Sequence, residues 1–220
     1  NGASTILSGL RITSTSGTNL ISNNRIGDLN ASAAVTTDAI RGINITSASA
    51  TSTLNVYYNT VYINSATTAA TFGSTGLFHT ISTTATTAAL NLRNNIIVNA
   101  SSNAGAGLTV AYRRSGGAAS NLANYSSTSD RNLFYAGTPG ANNLIYSDGT
   151  SSAQTIVAYK GGVFTAGTIA PRDANSVTEN PPFLSTTCGN ANFLKINTAT
   201  PTGAESGGAN IAAVTDDFEG

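Results

Sequence analysis

The chain has 220 residues with ten acidic and ten basic side chains, so its formal charge is zero. Threonine (33), serine (25) and asparagine (25) supply 83 residues, while charged residues make up 9%, against roughly 25% in an average globular domain. That balance leaves no basic footprint for nucleic acid and no patch for acidic lipid. A single cysteine, Cys188, leaves no internal disulfide framework or zinc cluster.

Disorder would call for high charge with few β-branched or aromatic residues. The abundance of Thr, Val, Ile and Tyr favours strands instead. No apolar run reaches membrane-spanning length, so no membrane insertion is expected. Methionine is absent, and the chain is read as a processed or excised piece of a longer protein.

Taken in chain order, short strands return on a fixed beat. The first is "SGLRIT" (8–13), followed by "ISNNRIGDLNAS" (21–32). "RGINIT" (41–46) repeats the first, and "VYYNTVYINSATT" (56–68) repeats the second. "TGLFHT" (75–80) and "LRNNIIVNASS" (92–102) form a third pair, and "AGLTVA" (106–111) with "SDRNLFYAGTP" (129–139) a fourth. The glycine markers Gly9, Gly42, Gly76 and Gly107 lie 33, 34 and 31 residues apart. The asparagines Asn24, Asn59, Asn95 and Asn132 lie 35, 36 and 37 apart. A further segment precedes each asparagine, clearest in "LNVYYN" (54–59) and "LNLRNN" (90–95). Each period therefore carries three short strands.

Equal spacing of the same markers, with no helix between strands, predicts a solenoid. Each period makes one coil, and coils pair at about 4.8 Å. The inward positions predicted for the second coil are Ile43, Ile45, Leu54, Val56, Val61 and Ile63. For the third they are Leu77, Leu90, Leu92, Ile96 and Val98. Asn24, Asn59, Asn95 and Asn132 are read as structural corners. Asparagine tolerates the left-handed region, and its amide can bond to the coils above and below. Residues 1–220 form one domain, with regular repeats over 1–148 and an irregular closing segment over 149–220. Within that segment "SAQTIVAYKGG" (152–162) is the one candidate helix, stopped by Gly161 and Gly162. Pro181 and Pro182 exclude a central strand. Leu184, Phe193, Leu194 and Ile196 are expected to pack on the final coil.

With these asparagine corners the chain resembles the right-handed parallel β-helix proteins of the pectate-lyase-like fold, in which an asparagine ladder lines one turn. The resemblance implies an all-β solenoid of about five to six coils. The ending "DANSVTENPPFLSTTCGNANFLKI" (173–196) and "GANIAAVTDDFEG" (208–220) is similar to repeat domains of secreted bacterial surface or adhesin-like proteins. In those relatives the Asp-rich close continues into an arginine and a final strand. This chain stops at Gly220, so an open last coil, or one completed by another segment, is expected.

Chemistry is sparse. Asp28 and Asp38 are the only acids before residue 130, whereas calcium-dependent lyases and glycoside hydrolases need clustered carboxylates. Asp130, Asp148 and Asp173 could make a site only by loop convergence. His79 stands alone, without the partners of a triad or metal site, and is read as a satisfied or exposed strand residue. Cys188 is read as small and buried. The acidic end Asp216, Asp217 and Glu219 is read as a free tail or partner contact ahead of a Ca²⁺ site. Arg113, Arg114 and Arg131 mark a possible interaction surface around the long insert at 113–130. Arg25, Arg93 and Arg131 form a second candidate row beside the corner.

Tyr57, Tyr58 and Tyr62 could offer stacking faces to sugar. Sequons begin at Asn30, Asn44, Asn99 and Asn124, and the Ser/Thr loops at 65–71 and 82–87 could carry O-linked sugar or none. No cofactor is implied.

The functional expectation is a non-catalytic structural module of an extracellular, bacterial cell-surface assembly. It would self-associate end to end through terminal coils into a filament, sheath or stalk. The alternative is a carbohydrate-binding or polysaccharide-degrading β-helix, with glycan as partner.

Overall fold

Strands form where β-branched and apolar residues alternate with small polar ones, because one face of each must turn inward. A computed structural model describes residues 5–47, 50–80, 89–116, 122–205 and 207–216. The loop at 82–87, Asp217 and Glu219 lie outside the described residues. The first coil holds β1 (Leu7–Ile12), β2 (Gly17–Ser22) and β3 (Arg25–Ile26). The second holds β4 (Ile40–Ile45), β5 (Ser52–Tyr57) and β6 (Thr60–Ile63), and the third β7 (Ser74–His79), β8 (Ala89–Arg93) and β9 (Ile96–Asn99). In the fourth, β10 (Thr109–Arg114) and β11 (Leu133–Tyr135) flank a middle strand reduced to single bridges at Tyr125 and Asp130. A fifth pass begins with β12 (Asn143–Ser147).

Like strands stack in parallel. One sheet runs β1-β4-β7-β10-β12, a second β2-β5-β8 and a third β3-β6-β9-β11. The fold is thus an all-β parallel solenoid, as the repeat implied, with about four turns rather than five to six. The shortfall lies in residues 148–216, where a lone parallel bridge from Val177 to Leu133 is all that extends the stacked sheets among the described residues.

The core is a column of stacked like residues. Ile43, Leu77, Tyr112 and Tyr146 form one row, and Leu54, Leu90 and Tyr125 another. All are at most 1% exposed, and burying a leucine or isoleucine this fully contributes about 1.5–3 kcal/mol. The glycine marker has a steric cause. A Cβ on Gly9, Gly42 or Gly76 would collide with Ile26, Val61 or Ile97 respectively, from the third sheet. The fourth member of that row is not Gly107. Val110 and Tyr112 pair with Thr75 and Leu77 on either side, so Ala111 takes the position of Gly76.

One face assignment is corrected. On β9 the core residues are Ile97 and Asn99, not Ile96 and Val98, because Ile97 pairs with Val61 and Asn99 with Ile63. Ile96 and Val98 point outward beside Thr60 and Tyr62. Asn99 is fully buried but satisfied: Ser74 Oγ donates to its Oδ1 at 3.0 Å, and its Nδ2 donates to the Val110 carbonyl at 3.0 Å.

The C-terminal end of the column is covered by this chain's own closing segment, against the expectation of an open coil or one completed by another segment. β13 (Ser152–Ala153) turns back antiparallel to β12, and α1 (Ile156–Gly161) and the hairpin β14 (Val163–Phe164)–β15 (Gly167–Thr168) follow. Thr155 caps α1 by accepting the Ala158 N–H at 3.1 Å. The helix carries Tyr159 inward at 0% exposure. There the aliphatic column gives way to an aromatic cluster of Tyr112, Tyr125, Phe134, Tyr146, Tyr159 and Phe164, with centroid separations of 4.9–6.0 Å. Rings of that size fill a wide end with few residues.

Beyond Val177, which bridges Leu133, the chain runs back along the outer face of the third sheet as a strap. Phe183 meets Tyr62 edge-on at 5.7 Å, and Phe193 lies against Gly27 in the first coil. Phe193 therefore packs at the first coil rather than the last, while Leu184 is 51% exposed.

Candidate functional site

The corner between the second and third sheets carries two adjacent rows with different duties. Asn24, Asn59, Asn95 and Asn132 stack amide on amide. Asn24 Nδ2 donates to Asn59 Oδ1 at 2.8 Å, Asn59 Nδ2 to Asn95 Oδ1 at 3.0 Å, and Asn95 Nδ2 to Asn132 Oδ1 at 3.0 Å. Each Oδ1 also accepts the backbone N–H of the asparagine one coil earlier, at 3.0–3.1 Å. The amides further donate to strand carbonyls, such as Asn95 to Val56 and Arg93 at 2.8 and 2.9 Å. Every donation to the next side chain points toward the C-terminus.

The left-handed residue is one position earlier than expected. Asn23, Tyr58, Asn94 and Arg131 have φ of 58°, 54°, 57° and 59°. Two of the four are not asparagine, because this position needs no ladder amide. Each instead sends a side-chain donor to a strap carbonyl. Asn23 Nδ2 reaches Asp216, and Arg131 Nη1 reaches Gly207 at 3.3 Å. Tyr58 Oη and Asn94 Nδ2 both reach Ala209, at 2.6 and 2.7 Å, while Asn94 Oδ1 accepts the Ala209 N–H at 3.0 Å. No single-position repeat could have revealed this row, since its common property is a donor rather than a residue type.

Clefts remain between strap and sheet. One of about 320 Å³ is lined by Tyr58, Asn94, Arg131 and Glu205, and one of about 390 Å³ by Arg25, Tyr58, Leu194 and Lys195. Tyr58, Thr60 and Ile96 border both.

The ladder ends on Asp173. Its Oδ1 accepts Asn132 Nδ2 at 2.9 Å and Ser176 Oγ at 2.7 Å, and its Oδ2 accepts the hydroxyls of Tyr125 and Tyr159, both at 2.6 Å. Burial raises its pKa above the usual carboxylate value, outweighing the four hydrogen bonds. Burial likewise holds the phenols of Tyr125 and Tyr159 well above theirs, with the Asp173 charge as second cause.

Asp130, Asp148 and Asp173 each keep separate partners. Asp148 accepts from Ser151 and from the Ala166 N–H, and Asp130 accepts the backbone and side-chain N–H groups of Asn175 at 2.8 and 2.7 Å. Among the described residues there is no group of three or more His, Cys, Asp or Glu side chains placed to hold a metal ion.

The candidate arginines do not share a surface. Arg114 is fully buried, with Nη2 donating to Asn124 Oδ1 at 2.5 Å. Arg113 lies on the opposite side of β10, where burial lowers its pKa and the Asp38 charge opposes that. Arg131 holds the strap. Arg25 and Arg93 are also separated, on the third and second sheets. His79 is buried. The Asn124 amide nitrogen faces its Nε2 at 3.1 Å, and the Tyr112 hydroxyl lies 3.4 Å from its Nδ1.

Cys188 is exposed rather than buried, its N–H donating to Asp28. Of the sequon asparagines, Asn44, Asn99 and Asn124 are buried at 5%, 0% and 2%, and Asn30 is exposed. Tyr57, Tyr58 and Tyr62 split between the second sheet, the corner and the third sheet.

No family model matches the chain, and neither a curated protein nor a solved structure matches it.

Proposed function

We propose that the chain is a non-catalytic structural module of an extracellular surface assembly, forming the closed tip of a stalk or fibre. The observation that supports this is the covered C-terminal end of the column. There the ladder and core stop at Asp173 and the aromatic cap. An open filament of identical copies needs a free surface at both ends. The covered end therefore favours the tip of a stalk or fibre over a repeating subunit.

The carboxylates bound into structural hydrogen bonds, and the charge-poor surface, suit a scaffold more than a hydrolase. No helix among the described residues is long and apolar enough to cross a membrane. Resemblance to adhesin-like repeat domains agrees with the reading.

The test is immunogold labelling of the producing cells with antibody to this chain. Label on extracellular fibres, concentrated at their ends, is expected. Label confined to the cell interior would overturn the proposal. A second reading, carbohydrate binding, rests on the clefts meeting at Tyr58. Its check is a glycan array in which Tyr58→Ala abolishes any signal.

A further inference from the structure

Away from the corner and the strap, the outer face of the first sheet carries a polar cluster with more donors than acceptors. Register sets Asn44, Phe78 and Arg113 side by side on β4, β7 and β10. Arg41 directs Nε and Nη2 at Asp38 Oδ2, at 2.8 and 2.7 Å, and Nη1 at Asn44 Oδ1, at 3.0 Å. Its guanidinium lies over the Phe78 ring, 3.4 Å from the centroid, a cation–π contact that holds it flat. Asp38 Oδ1 accepts Thr75 Oγ1 at 2.7 Å. Arg41 is therefore fixed, and both oxygens of Asp38 are engaged.

Arg113 has no such partner. Its Nε and Nη2 form the same edge of the guanidinium that Arg41 gives to Asp38, yet both are shut off from water without a hydrogen-bond acceptor. Donors buried in that state carry a desolvation cost that nothing offsets. Burial lowers the Arg113 pKa, the Asp38 charge opposes that, and the Arg41 charge adds to it. The next coil brings no relief. Arg113 pairs there with Ser147, and Asp148 beyond it accepts from Thr150, Ser151 and Ala166. Two cations thus share the Asp38 carboxylate, which leaves a net positive charge on the cluster.

We infer that this cluster is a binding site for a small monocarboxylate, whose two oxygens accept the Nε–H and Nη2–H of Arg113. A planar acceptor with two oxygens matches the edge of a guanidinium, and its single negative charge balances the cluster. The buried edge admits only a small acid. Arg113 as a residue is only partly covered, and its long stem lets the planar end turn outward, collect the anion and draw it in. Phe78, 8% exposed, adjoins Arg113 in register, and beside it charges attract more strongly than in bulk water. Arg41 stays in place, adds positive charge and occupies Asp38, the carboxylate that would otherwise compete for Arg113. This site is independent of the tip reading.

The test titrates the intact, isotopically labelled chain with sodium acetate, against sodium chloride at equal ionic strength. The Arg113 Nε–H resonance, assigned through its own side-chain connectivity, should shift saturably with acetate and stay in place with chloride. At acetate about ten times its Kd, the unfolding constant of the wild type should fall about eleven-fold. Arg113→Lys keeps the charge but loses the two-donor edge. With binding about ten-fold weaker, its unfolding constant should fall only about two-fold at that acetate concentration. Equal stabilisation of the two proteins would overturn recognition by the guanidinium edge. An Nε–H resonance that does not move, or that moves alike in chloride, would overturn the site itself, and the wild type alone supplies that result.

Discussion

Replacing Asn95 by alanine tests whether the ladder holds the solenoid or merely lines it. The substitution deletes three donations from Nδ2, to Asn132 Oδ1, Val56 O and Arg93 O, and two acceptances by Oδ1, from Asn59 N and Nδ2. Asn59 Nδ2 keeps the carbonyls of Ile21 and Tyr57 at 2.9 and 3.0 Å. The Asn59 N–H, in a residue at 0% exposure, has no second acceptor and cannot turn to water. A buried group left unpaired costs about 1–3 kcal/mol, and the lost bonds about 0.5–1.5 kcal/mol each before relaxation. Since some acceptors retain other partners, the expected loss is about 3–5 kcal/mol.

Asn24→Ala provides the internal control. It removes only the donations to Asn59 Oδ1 and Ser22 O, at a partly exposed end where water can substitute, and should cost about 1 kcal/mol. Urea unfolding followed by circular dichroism gives both values from the shift in midpoint at constant slope. Equal losses at the two positions, or less than about 1 kcal/mol for Asn95→Ala, would refute the idea that buried amides clamp successive coils.

Four further outcomes are expected. Gly42→Ala should destabilise by about 2–3 kcal/mol, since its Cβ would collide with Val61 and come within 2.6 Å of the Gly76 carbonyl. Gly161→Ala, with open space around it at the end of α1, should be neutral or mildly stabilising in the same urea unfolding. Asp173→Asn should flatten part of the pH profile. Because its folded pKa is raised, stability from the wild-type acid is full below the unfolded value of about 3.9. It is lost as pH rises through the folded value. The stability difference, wild type minus variant, should therefore fall with pH across that window, and a difference that grows would show that the pKa is depressed instead. Asn94→Ala should free the strap by removing its paired bonds to Ala209. Hydrogen exchange at Ala209 should rise about ten-fold or more while the β5 and β8 amides keep their protection, for a loss of about 1.5 kcal/mol.

Repetition made the solenoid legible, because a coil that buries little alone must repeat its inward residues to share a core. The corner asparagines were visible for the same reason: a ladder works only if each coil supplies the same amide. That regularity also contained the information to place β9. Val61 and Ile97 each stand two residues after a ladder asparagine, and a strand pinned at the corner has no freedom to slip by one. Ile96 and Val98 looked like core residues only while their outer face was taken to be solvent.

What covers that face was decided by tertiary structure. Phe193 seeks the gap at Gly27 some 166 residues away in sequence, and no local pattern encodes such a return. Asp173, Tyr125 and Tyr159 likewise come from three unrelated segments to close the ladder, so their pairing follows from the spatial end of the column rather than from spacing. The left-handed row shows the same division. Its backbone shape belongs to the repeated turn, but Asn, Tyr, Asn and Arg share a task only because the strap passes over all four. The period itself dictated stacking and corner; the single, non-repeating contacts that seal the C-terminal end of the column and bind the strap arise only once distant parts of the chain are brought together.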